Sequence, residues 1–177
     1  MKMRFLHTFL VLFLWCLLNN SFAQVIPGDS LKDKVTDTTW KVRPPNPKAD
    51  AIISYAKTFL GVPYRYGGTT PSGFDCSGFI NYIFGNFGFS LVRTSYGLAE
   101  LGETIKLSDI QPGDLMFFKG SNVNSTAVGH VALVIEVTPS AIKFIHSANG
   151  GVRIDNFKTS EYYIRRYVKT KRLDYGG

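Results

Sequence analysis

Apolar and polar residues follow two different periods along the chain, which separates a helical part from a sheet part. Over residues 48–60, apolar side chains recur at the 3.6-residue spacing of a helix, and Gly61 ends the pattern. A second apolar helical face begins at Cys76, directly after Asp75, a residue type that favours helix N-termini. A short third helix is predicted around residues 96–101.

Beyond residue 110 the pattern becomes that of short strands separated by Gly, Pro and Ser turns. The predicted strands cover residues 114–119, 130–138, 141–147, 152–157 and 163–169. Helices followed by strands predict an α+β domain, with N-terminal helices packed on one side of an antiparallel β-sheet.

The first 23 residues have the features of a secretory signal peptide. Lys2 and Arg4 precede a mostly apolar stretch over residues 5–18, and Ser-Phe-Ala at 21–23 resembles a cleavage site. The apolar stretch is shorter than the roughly 20 residues that span a bilayer. We therefore expect cleavage after this segment, export to the periplasm or the extracellular side, and no transmembrane anchor in the mature chain.

Three further segments follow the signal peptide. Residues 24–47 are polar and interrupted by proline, which predicts a flexible linker. Residues 48–173 form the predicted domain, and 174–177 a short tail. The apolar stretch contains Cys16, but the bulky Trp15 precedes it, where lipid-modified cysteines normally follow a small residue. We therefore do not expect a lipoprotein.

Composition suits one globular domain. The chain is 45% hydrophobic and 19% charged, so it can build a core, and we expect a monomer. Loss of the two cations of the signal peptide lowers the formal net charge from +7 to +5. Such a charge favours anionic partners in general. No nucleic-acid-binding motif accompanies it, so no nucleic-acid partner is expected.

After cleavage, the chain retains a single cysteine, Cys76, and two histidines, His130 and His146. A helix N-terminus lowers the pKa of a thiol, so Cys76 is a candidate nucleophile. The histidines fall in consecutive predicted strands, and an antiparallel hairpin would bring them to the same end of the sheet. A nucleophile, a base and a group that orients the base are the parts of a cysteine hydrolase.

Other interpretations of these three residues remain open. A lone Cys on an apolar helix face is usually a small buried hydrophobe, and a lone His in a strand is usually structural. A zinc site from Cys76, His130 and His146 would lack the close ligand spacing of structural zinc sites. Disulfide exchange would require a second cysteine in the mature chain. The residues alone therefore leave catalysis and a structural role equally open.

Six short motifs then resemble one family in order and spacing. They are Tyr-Arg-Tyr-Gly-Gly at 64–68, Asp-Cys-Ser-Gly-Phe at 75–79, Arg-Thr-Ser at 93–95, Gly-Asp-Leu at 113–115, Gly-His-Val at 129–131 and His-Ser at 146–147. From about residue 49 to 173, the chain resembles the NlpC-type cell-wall cysteine peptidases. The resemblance implies a compact papain-like fold and hydrolysis of peptidoglycan stem peptides, typically between D-γ-glutamate and the next diamino acid.

The resemblance also implies roles for individual residues. Cys76 would be the nucleophile, His130 the general base and His146 the residue that orients it. The hydroxyl of Tyr64 would face the active site. The chemistry would require no metal and no organic cofactor.

Some members of the family hold a free amine of the stem peptide with residues that match Asp75 and Ser77, and Arg93 is a further candidate substrate contact. A carboxylate beside the nucleophile can pair with an ammonium group; Asp75 would also cap the helix. Two alternatives share the fold: a non-catalytic wall-binding or adaptor domain, and an amidase or acyltransferase.

Overall fold

The computed structural model describes residues 46–176. The predicted signal peptide, Cys16, and the predicted linker up to residue 45 lie outside the described residues, as does Gly177. Their predictions are therefore not tested by the structure.

The described chain forms four helices and eight strands. The helices are α1 (Pro47–Lys57), α2 (Cys76–Gly85), α3 (Ser95–Leu98) and α4 (Glu161–Ile164). The strands are β1 (Thr69–Thr70), β2 (Gly73–Phe74), β3 (Glu103–Ile105), β4 (Leu115–Lys119), β5 (Val128–Val137), β6 (Ile142–Ala148), β7 (Gly151–Asn156) and β8 (Tyr167–Arg172). Two single 3₁₀ turns, Leu107–Asp109 and Phe157–Thr159, complete the described elements.

Six strands form one antiparallel sheet in the order β3-β8-β4-β5-β6-β7, while β1 and β2 form a separate small hairpin. Helices α1 to α3 precede the strands of the large sheet, and the predicted α+β architecture is confirmed. Consecutive strands β4 to β7 are neighbours in the sheet, which places the ends of β5 and β6 side by side.

The sheet is buried on both faces because its central strands are apolar at consecutive positions. In β4, Leu115 and Phe117 face the core beneath the helices, whereas Met116 and Phe118 face a second cluster on the opposite side. Tyr163 of α4 belongs to that second cluster. Helices α1 to α3 thus cover one face, and the segment around α4 covers the other.

Helix α1 begins where Asn46 and Pro47 fit a helix start. The Asn46 side chain accepts a hydrogen bond from the Ala49 N–H at 3.0 Å, and Pro47 occupies the first turn, where its missing N–H costs nothing. The helix ends at Lys57, three residues before the predicted end. Residues 58–61 continue as turns before the chain leaves at a positive φ on Gly61.

One predicted element is wrong in detail, and one observed strand was not predicted. The predicted strand over residues 163–169 is split: Tyr163 lies in α4, and the strand begins only at Tyr167. Strand β3 was not predicted, because Glu103 and Thr104 are polar and exposed and the strand forms through its pairing with β8.

The Gly-Asp-Leu motif has a structural role at the edge of the core. The Asp114 carboxylate is 1% exposed and accepts two hydrogen bonds from Arg172, at 2.7 and 2.8 Å. It also accepts one from the Gln111 N–H at 2.8 Å. This bidentate pair joins the turn before β4 to the last residue of β8.

Candidate active site

Helix α2 begins at Cys76 because the preceding residue caps it. The Asp75 backbone is extended, and its carboxylate accepts a hydrogen bond from the Gly78 N–H at 2.6 Å. Cys76 is thus the first helical residue, as the sequence predicts.

Glycine at position 78 lets this helix start approach the preceding loop. A Cβ added at Gly78 would lie 2.0 Å from the Gly68 carbonyl oxygen, closer than any real contact. The same carbonyl accepts a hydrogen bond from the Asp75 N–H at 3.0 Å. The motif at 64–68 and the motif at 75–79 therefore pack directly on each other.

A long-range hydrogen bond fixes the nucleophile segment to the sheet. The Ser147 hydroxyl donates to the Phe74 carbonyl oxygen at 2.8 Å, and the bond is buried. Phe74 lies two residues before Cys76, and Ser147 follows His146 in β6. This hydrogen bond gives the serine of the His-Ser motif a structural role.

The two histidines meet across β5 and β6. His130 Nε2 lies 2.9 Å from His146 Nδ1, although the residues are 16 apart in sequence. The antiparallel pairing of the strands, with Leu133 opposite Ile145, makes the two side chains diagonal neighbours on one face. The structure thus brings them to the same end of the sheet, as predicted.

The histidine pair continues into a carboxylate that the sequence analysis missed. His146 Nε2 lies 2.9 Å from an oxygen of Asp155, and Arg153 Nε donates to the same oxygen at 3.0 Å. Arg153 also donates to the Tyr163 hydroxyl at 3.1 Å. Its position follows from the register of β6 and β7. Arg153 lies opposite His146, and Asp155 lies two residues further along β7 on the same face.

This arrangement determines which ring nitrogens carry protons. The hydrogen bond from His146 lowers the pKa of Asp155 to about 2, so this carboxylate is ionised and can only accept. His146 must then donate from Nε2, which leaves its Nδ1 as the acceptor of a proton from His130 Nε2. In the neutral pair, Nδ1 of His130 therefore has a free lone pair, as a general base requires.

The directions of the pKa shifts differ from the sequence expectation. Burial raises the pKa of the Cys76 thiol, and the negative charge of Asp75 raises it further, against the lowering effect of the backbone N–H groups of Val131 and Ser77. Burial and the neighbouring His146 lower the pKa of His130 to about 3. The substrate-free site thus favours a neutral thiol and a neutral imidazole, not the ion pair that a helix N-terminus alone predicts.

Cys76 lies beside the strand that carries His130. Its sulfur is close to the backbone N–H of Val131, the next residue in β5. Within residues 46–176, no hydrogen bond joins the thiol to the His130 ring. Such contacts are often long in substrate-free enzymes and shorten in the substrate complex.

Tyr64 is placed at the mouth of the site. It lines the same cavity as His130, and its pKa is raised by burial and then by the charges of Cys76 and Asp75. An isolated bridge pairs its backbone with Phe74. The structure therefore brings Tyr64 to the nucleophile segment.

The three candidate substrate contacts form a cluster of their own. Arg93 donates to both oxygens of Asp75, at 3.0 and 2.6 Å, and to the Ser77 hydroxyl at 2.8 Å. Burial opposes ionisation of Asp75, yet Arg93 and the Gly78 N–H hold the pKa of the carboxyl below its usual value. A substrate ammonium group at Asp75 would have to share this carboxylate with Arg93.

Residues 46–176 contain no group of three His, Cys, Asp or Glu side chains arranged to hold a metal ion. Among the helices of the same residues, none combines the length and apolar character needed to cross a membrane.

Comparison with known proteins adds the following matches. The model of the NlpC/P60 family matches residues 61–172. The chain is 40% identical over 130 residues to a gamma-D-glutamyl-L-lysine dipeptidyl-peptidase of Bacillus cereus, covering 72% of this chain and 37% of that protein. It is 33% identical over 148 residues to a probable endopeptidase NlpC homolog of Haemophilus influenzae, covering 80% of this chain and 74% of that protein. The chain thus spans little more than a third of the length of the first relative.

A solved structure has the same fold. The crystal structure of an NlpC/P60 family protein from Bacillus cereus matches with a TM-score of 0.64 and 34% identity, over 73% of this chain and 41% of that one.

Proposed function

Because the chain belongs to the NlpC/P60 family, we propose that it is a cysteine peptidase that hydrolyses stem peptides of peptidoglycan. The observation that supports this most strongly is the hydrogen-bonded series His130–His146–Asp155 beside the helix-start Cys76. A histidine pair that ends on a carboxylate, with His146 buried and His130 half-buried beside the cavity, orients one imidazole nitrogen towards a reacting group.

The reaction begins when Cys76 attacks the carbonyl carbon of the scissile amide. His130 Nδ1 removes the thiol proton as the carbon–sulfur bond forms. The neutral resting pair makes this transfer concerted with attack. Backbone N–H groups at the start of α2 and the Tyr64 hydroxyl are the candidate donors to the oxyanion.

Collapse of the tetrahedral intermediate breaks the carbon–nitrogen bond. The His130 imidazolium gives its proton to the departing amine, and a thioester to Cys76 remains. His130 then removes a proton from water, the hydroxide attacks the thioester, and the acyl fragment leaves as a carboxylic acid while the thiol is restored. The chemistry draws on protein side chains and water.

The scissile bond that we propose joins D-γ-glutamate to the following diamino acid. The relative from Bacillus cereus is named for a gamma-D-glutamyl-L-lysine bond, which supports this choice. We extend the proposal to an exported, monomeric protein with residues 1–23 removed.

The test is digestion of purified peptidoglycan with the exported protein, followed by mass spectrometry of the released muropeptides. We expect new amine ends on the diamino acid, and none with Cys76→Ala. Peptidoglycan binding without new amine ends would instead indicate the wall-binding or adaptor alternative. New ends at a different bond, or acyl transfer to an added amine, would indicate the amidase or acyltransferase alternative.

A further inference from the structure

A cavity of about 630 Å³ opens beside the proposed catalytic base. His130 and Tyr64 line it, together with residues from the end of β4 and from the segment around α4. Its volume is in the range of small-molecule binding sites. The Asp75–Ser77–Arg93 cluster does not line it, so the cavity and that cluster are separate places in the site.

The cavity wall carries an excess of positive charge. Lys119, Arg153 and Arg166 line it, with Asp155 as the carboxylate. Arg153 forms an ion pair with Asp155, with Nε and Oδ2 3.0 Å apart. The other two cations of the lining are Lys119 and Arg166.

Neither Lys119 nor Arg166 forms an ion pair with a carboxylate in the part of the chain that is described. Lys119 Nζ donates to the backbone carbonyl of Val123 at 2.9 Å. The Arg166 guanidinium lies 3.7 Å over the ring of Tyr162, and its Nη1 donates to the carbonyl of that residue at 3.3 Å. Both side chains retain donors for an incoming anion.

The backbone holds these two cations next to each other. Lys119 is the last residue of β4, and Arg166 immediately precedes β8. The Lys119 N–H donates to the Arg166 carbonyl at 2.8 Å, beside the irregularity in the β4–β8 pairing. The two charges therefore lie at the same end of two paired inner strands of the sheet.

We propose that this cavity binds the departing amine fragment of the substrate, and that Lys119 and Arg166 bind a carboxylate of that fragment. The inference rests on the proposed function. His130 must reach the leaving amine to protonate it, and His130 lines this cavity. Where the diamino acid ends the stem peptide, it carries a free carboxylate on the carbon that bears the released amine. Arg and Lys together suit a carboxylate ligand.

The experiment compares two synthetic substrates, L-alanyl-γ-D-glutamyl-L-lysine and its C-terminal amide. The amide lacks the negative charge of the lysine carboxylate and keeps that of the glutamate. With the wild-type protein we expect kcat/KM to be about 10-fold lower for the amide, the size of one charge-assisted contact. With the double variant Lys119→Met/Arg166→Met, we expect the two substrates to be hydrolysed at equal kcat/KM. The control is Arg165→Met, since Arg165 is an exposed neighbour that pairs with Glu161 and does not line the cavity. It should keep the 10-fold preference.

Separate outcomes test the inference and the proposed function. Hydrolysis of both substrates at equal rates by the wild-type protein would overturn the carboxylate site and leave the proposed function intact. If the wild-type protein cleaves neither substrate, the proposed bond is wrong, and calorimetry with Cys76→Ala then tests the cavity alone. If Cys76→Ala binds the tripeptide acid more tightly than its amide, and the added Lys119→Met and Arg166→Met changes abolish this difference, the carboxylate site is supported. Equal affinity of Cys76→Ala for the two peptides overturns it.

Discussion

The Ser147 hydroxyl and the Phe74 carbonyl form a buried hydrogen bond of 2.8 Å between segments 73 residues apart. Ser147 follows His146 in β6, and Phe74 comes two residues before Cys76. The bond therefore joins the strand of the orienting histidine to the segment of the nucleophile. It holds the His146 strand at a fixed distance from the Cys76 segment, with no direct contact between the side chains of His146 and Cys76.

Replacement of Ser147 by Ala should weaken both stability and activity. It removes one of two hydrogen bonds to the Phe74 carbonyl oxygen, which also accepts from the Arg65 N–H at 2.9 Å, and should lower the free energy of unfolding by about 0.5–1.5 kcal/mol. A shift of the nucleophile segment should also lower kcat by about 10- to 100-fold. Urea unfolding and muropeptide release measure the two effects. Ser140→Ala, which removes an exposed hydroxyl in the β5–β6 turn, is the matched control; the same result in both variants would contradict the role given to Ser147.

Asp155 should act by holding one tautomer of the histidine pair. Asp155→Asn keeps the shape but offers an N–H to His146, which permits the opposite tautomer, and we expect kcat to fall about 10- to 100-fold. Asp155→Glu retains the acceptor and should recover part of the activity. Histidine ¹⁵N NMR reports the position of the proton directly: Nε2 of His146 in the wild-type protein and a mixture in Asp155→Asn. An unchanged spectrum in the variant would show that Asp155 does not set the tautomer.

Alkylation of Cys76 should reveal a neutral thiol at rest. Burial raises the thiol pKa and lowers that of His130, so we expect the iodoacetamide rate to keep rising with pH beyond the ordinary cysteine value of about 8.5. Cys76→Ser is the control for reaction of iodoacetamide at other residues. A rate that is already constant from pH 5 to 8 would demonstrate a resting thiolate–imidazolium pair instead.

Lowering the pH should destabilise the folded protein already above the pH range in which ordinary carboxyl groups take up protons. The pKa of His130 is lowered to about 3 and that of His146 is also lowered. Between pH 6.5 and about 3 the unfolded chain therefore binds more protons than the folded one. The free energy of unfolding consequently decreases as the pH is lowered through this range. Each histidine can contribute about 1.4 kcal/mol per pH unit.

Asp155 adds to the loss at lower pH, because its lowered pKa stabilises the fold above about 3.8 and this contribution disappears towards pH 2. The measurement is urea unfolding at a series of pH values from 7 to 4, for the wild-type protein and His130→Asn. The free energy of unfolding should depend less steeply on pH in His130→Asn, because this variant lacks one of the two titrating imidazoles. Parallel slopes would mean that His130 is not buried in its neutral form.

Helix α2 offers a matched pair of glycines to test its close contact with the loop before it. Gly78→Ala places a methyl group 2.0 Å from the Gly68 carbonyl oxygen and should cost about 1–3 kcal/mol by overpacking. Gly85→Ala, at the end of the same helix, meets no atom within 4 Å and should be neutral or stabilising by up to about 1 kcal/mol. Thermal unfolding distinguishes them. Equal Tm values for the two variants would contradict the packing argument.

Much of this architecture could be predicted where local pattern and tertiary environment agree. The apolar face of α2 and the cap at Asp75 were visible in the sequence, as was the hairpin that unites His130 with His146. The local pattern predicts a strand at Tyr163, whereas the structure places it in α4, buried in the second cluster and hydrogen-bonded to Arg153.

Asp155 could not be found from the sequence, because its role depends on register. One residue of slippage between β6 and β7 would turn its side chain to the other face of the sheet. The pKa directions were missed for a related reason. A helix N-terminus is a local feature that the sequence displays, but burial of the thiol depends on how the whole domain closes around it.

The complete burial of His146 has a consequence for the route of protons. This ring has no exposed surface and lies against the ring of Tyr163, with centroids 5.4 Å apart. Water can therefore exchange protons with the histidine pair only at the two ends of the hydrogen-bonded series, His130 and Asp155, and both border the cavity. Once a substrate fragment fills that cavity, the proton taken from Cys76 is shut off from solvent, and the departing amine becomes its nearest acceptor.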